Sequence, residues 1–123
     1  MIVKFRVDNL KNMTEQLKEF SEFLRSCEIA EEEVFLSRLV SCELISNVIR
    51  HGGEAADFIG ELLSDRISIT VTADSQKNLN LNPARPDVFA ESGRGLYIIN
   101  EVSMSGIERG EKGELRVYIR RTK

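Results

Sequence analysis

Cysteine is scarce in this chain. Cys27 and Cys42 are the only two, and no CxxC or similar ligand spacing joins them. That excludes a cysteine-built metal site and leaves both as small buried thiols within apolar helical patterns. Histidine is rarer still, with His51 alone. No block of one charge stands out: 17 Lys and Arg against 20 Asp and Glu give a net charge of -3. Such a chain lacks the basic footprint of a nucleic-acid binder, and it has no basic amphipathic segment suited to a membrane surface. No apolar run is long enough to span a bilayer. The opening MIVKFRV alternates charge with apolarity, unlike a signal peptide, so a cytoplasmic location is expected. Both prolines, Pro83 and Pro86, fall in one short region, and there is no repeat, interdomain linker or low-complexity tract.

What is present suits one globular domain, residues 1–123. Hydrophobic residues make up 41% and charged residues 30% of the chain, enough for a real core without disulfides or a structural metal. Val3, Phe5 and Val7 alternate with Lys4 and Arg6, the period of a half-buried strand. Asp8-Asn9 breaks it and can cap a helix, whose buried face is expected at Leu10, Met13, Leu17, Phe20 and Leu24. A second helix is expected from about Ala30 to His51, with Glu31, Glu32 and Glu33 at the positive end of its dipole and Gly52-Gly53 as a stop. The stretch 55–63 reads as a strand and Ser64-Asp65 as a turn. Ile67, Ile69, Val71 and Ala73 alternate in a clear strand. A short helix is expected around Leu96, Ile98, Ile99 and Val102, and a strand from Ile107. A turn at 110–113 leads to a last strand through Leu115, Val117 and Ile119. This order predicts a two-layer α/β sandwich of the α+β class, with a mixed, mostly antiparallel sheet and helices on one face.

The second helix carries an oddity, CELISNVIRH. On a helical wheel Asn47 lies about 40° from Glu43, and both continue an apolar stripe that starts at Leu36 and Val40. Leu44, Ile45, Val48 and Ile49 form a second arc. A carboxylate among such neighbours is costly to bury alone. Two readings are open: Glu43 pairs with a basic neighbour such as Arg50 or reaches solvent, or the two residues line a polar pocket. In the second, Glu43 suits a general base and the Asn47 amide oxygen suits Mg²⁺.

Further along, Gly93-Arg94-Gly95 precedes the short helix, where bare backbone N–H groups can approach phosphate. It is neither the dinucleotide fingerprint, lacking a third glycine, nor a Walker A loop, lacking GK[ST]. Before it, residues 75–91 form a long connection of the kind that is usually functional or mobile.

Taken in order, ELISNVIRHGG, Asp74, the long connection and ESGRGLYIINEV resemble the GHKL ATPase superfamily with its Bergerat ATP-binding fold. Within it they resemble the histidine-kinase-like ATPase domains of bacterial anti-sigma-factor serine/threonine kinases. The resemblance covers nearly the whole chain. It implies that Glu43 is the catalytic base, that Asn47 holds Mg²⁺, and that ATP is contacted by Asn47, Arg50, His51, Asp74, Gly93, Arg94, Gly95 and Leu96. Asp74 would bind the adenine amino group and 75–91 would be the ATP lid. The implied activity is Mg-ATP-dependent phosphorylation of an anti-sigma-factor antagonist together with sequestration of a sigma factor, a transcription-regulating role. The family often works as a dimer, and exposed parts of the first strand and helix offer a surface for a homodimer. One departure is plain: the family's D-x-G-x-G reads Asp74-Ser75-Gln76-Lys77-Asn78 here. That departure supports an alternative, a partner-switching binding module of the same fold with weakened or lost ATP use. For His51, a cation at a helix C-terminus is an equally open reading. Arg94, between two glycines, is placed for phosphate.

Overall fold

The computed structural model describes residues 1–50, 55–73, 97, 99–111 and 113–122. Its elements are β1 (Ile2–Val7), α1 (Leu10–Ser26), α2 (Glu31–Arg50), β2 (Ala56–Leu62), β3 (Arg66–Ala73), β4 (Glu108–Arg109) and β5 (Leu115–Arg120). Residues 97 and 99–102 are also helical. The strands form one five-stranded sheet in the order β1-β2-β3-β5-β4. Every pairing among the described residues is antiparallel, and the expected mixed character does not occur among them. The expected two-layer sandwich is what forms.

Local chemistry sets the element ends. Asn9 caps α1, its Oδ1 accepting from the Asn12 N–H at 2.8 Å, which satisfies one of the free donors of the first turn. At the other end Glu28 takes a left-handed conformation, φ 62°, and Ile29 N–H returns to the Leu24 carbonyl at 3.2 Å. This is the glycine-favoured helix stop, made here by a glutamate. It lets α2 begin four residues after Cys27. Arg25 Nε reaches Glu31 across that turn at 2.8 Å. The pair is exposed and contributes little to stability.

Strand alternation places Val3, Phe5, Val7, Phe58, Ile67, Ile69, Val71, Leu115, Val117 and Ile119 on one face. They pack with Met13, Leu17, Phe20 and Leu24 of α1 and with Val40, Leu44, Ile45 and Val48 of α2 in a single core. Phe58 is its hinge point, stacked on Phe5 at 4.4 Å and met edge-on by Phe20 at 5.1 Å. Gly60 lies beneath Phe20: a Cβ there would come within 2.6 Å of the ring, so only glycine lets α1 sit this close to β2.

One expected core position fails. Leu10 is 60% exposed, because it opens α1 at the surface and the buried stripe begins only at Met13. The strand expected from Ile107 is the two-residue β4.

The C-terminal segment is fastened back onto the sandwich. Arg121 donates to the carbonyls of Leu63 and Asp65, at the tip of the β2–β3 hairpin. Thr122 donates from both its N–H and its hydroxyl to Glu33 at the start of α2.

Candidate functional site

The polar pair of α2 is divided by the fold. Asn47 points inward at 1% exposure, and its Nδ2 has no hydrogen-bond partner among the described residues. Its helix neighbours Val40, Leu44 and Val48 are buried hydrocarbon. An amide donor left unpaired there costs about 1–3 kcal/mol. Glu43, one turn earlier, is only half-buried. The shared stripe expected from the wheel therefore holds for Asn47, while Glu43 sits at its margin, where contact with solvent avoids the cost of burying a charge.

The topology says where this pair lies. Glu33, in the first turn of α2, meets Thr122, two residues beyond Arg120, the cross-strand partner of Arg66. So α2 starts over the Arg66 end of β3. It runs for 20 residues, about 30 Å, toward the other end. Arg50 closes the helix, exposed. β2 then opens at Ala56, whose cross-strand partner is Ala73, the last residue of β3. The C-terminal end of α2 and the residue before Asp74 thus share one end of the sandwich.

The remaining expected nucleotide contacts, His51, Asp74, Gly93, Arg94, Gly95 and Leu96, lie outside the described residues, as does 75–91. Beyond them Ile99 is fully buried in the core while Tyr97 is 65% exposed, so the helical stretch after the glycines is anchored by one face. Among the described residues no group of three or more His, Cys, Asp or Glu could hold a metal ion. No helix among them is long and apolar enough to cross a membrane.

Two features of α2 escaped sequence reasoning. Glu33 looked like its neighbours Glu31 and Glu32, a carboxylate at the positive end of the dipole, yet it is buried at 7% exposure and bound to Thr122. Phe35 falls two residues later and is 64% exposed, an aromatic ring standing off the helix beside Glu31, Glu32 and Arg38. Its signal was available: on the wheel it lies with Glu31, away from the stripe of Val40 and Leu44.

No model of a known protein family and no curated protein sequence matches the chain. A solved structure does match: a chain from the SiaB–SiaC complex of Pseudomonas aeruginosa, with a TM-score of 0.63 over 97% of this chain and 88% of that one, at 15% identity. A likeness at this identity speaks for the fold alone. It also corrects the assignment to the GHKL superfamily and its anti-sigma-factor kinases. That assignment rested on the order of short motifs, and the similarity found leads to the SiaB–SiaC complex instead. The physical reason is that E-x-x-x-N on a helix and G-x-G before one are short patterns that packing and tight turns also produce. The two glycines that would have made Asp74 specific are absent. What similarity establishes is the sandwich architecture, shared almost end to end with one component of a two-protein complex.

Proposed function

We propose that this chain is a protein-binding module of a regulatory system, acting by reversible association with a partner protein in the manner of a partner switch. The observation that carries this reading is the near-complete fold match to a chain solved in the SiaB–SiaC complex. The exposed Phe35 on α2 fits it, since aromatic side chains are enriched in protein interfaces. The sigma factor and antagonist expected from the resemblance are not carried forward as named partners. The test is to purify the protein with the product of a neighbouring regulatory gene that resembles SiaB or SiaC, and to measure association by light scattering and calorimetry. A stable or salt-sensitive complex is expected; two proteins that elute and titrate independently would overturn the reading.

A second reading concerns binding of Mg-ATP, and it rests on Asn47. Its orphaned Nδ2 would donate to a phosphate or carbonyl oxygen, and its Oδ1 is the hard acceptor that Mg²⁺ takes. This reading extends to binding only, not to phosphate transfer. Calorimetry with Mg-ATP tests it: heat that disappears in Asn47→Leu supports it, and no heat at millimolar nucleotide rejects it.

A further inference from the structure

The sheet has a second face that the helices of the described residues leave uncovered. Strand register puts Lys4 and Arg6 of β1, Asp57, Ile59 and Glu61 of β2, and Arg66, Ser68 and Thr70 of β3 on it. Arg116, Tyr118 and Arg120 of β5 complete it, with Glu108 of β4 across from Arg116. The core residues all lie on the opposite face, and no helix among the described residues packs here. Ser68 and Thr70 are nonetheless buried, at 7% and 8% exposure. The face is therefore a firm surface rather than a fringe of loose polar side chains.

Its charge opposes that of the chain. The protein carries a net -3, yet this face holds the cations Lys4, Arg6, Arg66, Arg116 and Arg120 against Asp57, Glu61 and Glu108, with Asp65 at its hairpin edge; Arg6 pairs with Asp57 at 3.4 Å and Arg66 with Asp65, so the unbalanced charge sits on β5. Arg66 and Arg120 are direct cross-strand partners, a like-charge pair that destabilises a sheet. Arg66 is held in place, bonded to Asp65 through two nitrogens at 3.1 Å and resting 5.1 Å above the Tyr118 ring. Arg116 is braced by Thr70, 3.2 Å from its Nε, and neither it nor Arg120 is in an ion pair among the described residues. With Arg66 held over Tyr118 and Arg116 held by Thr70, the face presents Arg and Tyr, two residue types favoured in protein interfaces.

We infer that this open sheet face, centred on Arg116, Tyr118 and Arg120, is a docking surface for an acidic patch of a partner protein. Partner carboxylates would relieve the Arg66–Arg120 opposition and be drawn in by the local positive potential. A folded protein fits better than a nucleic acid, because Asp57, Glu61 and Glu108 interrupt the cations and leave no continuous basic track for a phosphate backbone. The inference rests on the proposed partner-binding function and names its surface.

The experiment uses the full chain with the neighbouring-gene partner, with amide NMR to map the footprint and calorimetry at low and high salt. Arg120→Glu is the main variant. It replaces a repulsive pair with an attractive one, so thermal stability should rise, whereas partner affinity should fall about tenfold at low salt and less at high salt. Lys4→Glu on β1, away from the core, should weaken binding in the same direction. Shifts confined to the residues of this sheet face, with both affinity losses, support the inference. Undiminished binding with a footprint on α2 overturns it and leaves the partner-binding function standing. Absence of any complex overturns both. A 20-mer oligonucleotide that binds this face when the partner does not also overturns it.

Discussion

Both carboxylate oxygens of Glu33 accept hydrogen bonds from Thr122, 89 residues later, at 2.9 and 3.0 Å from its hydroxyl. The Thr122 N–H adds a third bond at 3.0 Å. Bonds to a largely buried carboxylate are stronger than neutral ones, because little water competes for it. Replacing Glu33 with alanine should cost about 2 kcal/mol in urea unfolding. Glu33→Gln, which keeps one acceptor, should cost less. Equal stability of all three proteins would show that the tail is not fastened here.

Gly60 and Phe20 should behave as a coupled pair. Gly60→Ala alone should lose roughly 1–3 kcal/mol, since its Cβ meets the Phe20 ring. In a Phe20→Leu background, where the ring is gone, the same change should cost at least about 1 kcal/mol less. Simple addition of the two losses, measured by urea denaturation, would refute close approach as the reason for the glycine.

Glu28→Gly should raise stability by about 1 kcal/mol. The residue is held at φ 62°, where a side chain is strained and glycine is not. A higher thermal midpoint checks it; an unchanged or lower one would indicate that Glu28 makes a compensating contact.

The hairpin tip carries a pH dependence of known sign. The hydrogen bond from Arg66 holds the Asp65 carboxyl below its ordinary value of 3.8. A carboxyl lowered on folding adds stability that is fully present above that ordinary value and is lost as pH falls through the lowered one. The pair is exposed, so the effect is small. Following the Asp65 carboxyl carbon by NMR should show it titrating low, and Arg66→Ala should return it to the usual range.

Asn47→Leu should leave the fold as stable as before or improve it by about 1 kcal/mol, because it removes an unpaired donor from a buried site. Any affinity for Mg-ATP should vanish in the same variant. A large loss of stability would instead mean that the amide has a structural partner.

Much of this was readable in advance, wherever the deciding forces are local. Val3-Phe5-Val7 and Ile67-Ile69-Val71 announce strands by period, Asn9 announces a cap, and Asn47 stands out as a polar residue in an apolar stripe. Glu33 did not stand out, because its partner Thr122 is distant in sequence and the first turn of a helix gives a carboxylate a reason of its own. Leu10 misled because periodicity cannot tell where the other layer ends. Gly60 could have been flagged, since a lone glycine inside a strand hints at close backbone approach, but its partner Phe20 could not have been named. Of the residues expected to contact nucleotide, Asn47 alone was legible as an anomaly of burial. Motif order alone carried the rest, and motif order has no energetic content with which to distinguish a site from a tight turn.

The contact of Phe20 with Gly60 has a genealogical consequence. The chain from the SiaB–SiaC complex has the same sandwich at 15% identity, while sharing few letters. If the separation of helix and sheet is inherited, the two positions cannot drift independently: a small residue at 60 permits an aromatic at 20, and a larger one at 60 demands a slimmer one at 20. Paired variation at these two sites, rather than any motif near the helix end, would mark the lineage of this fold.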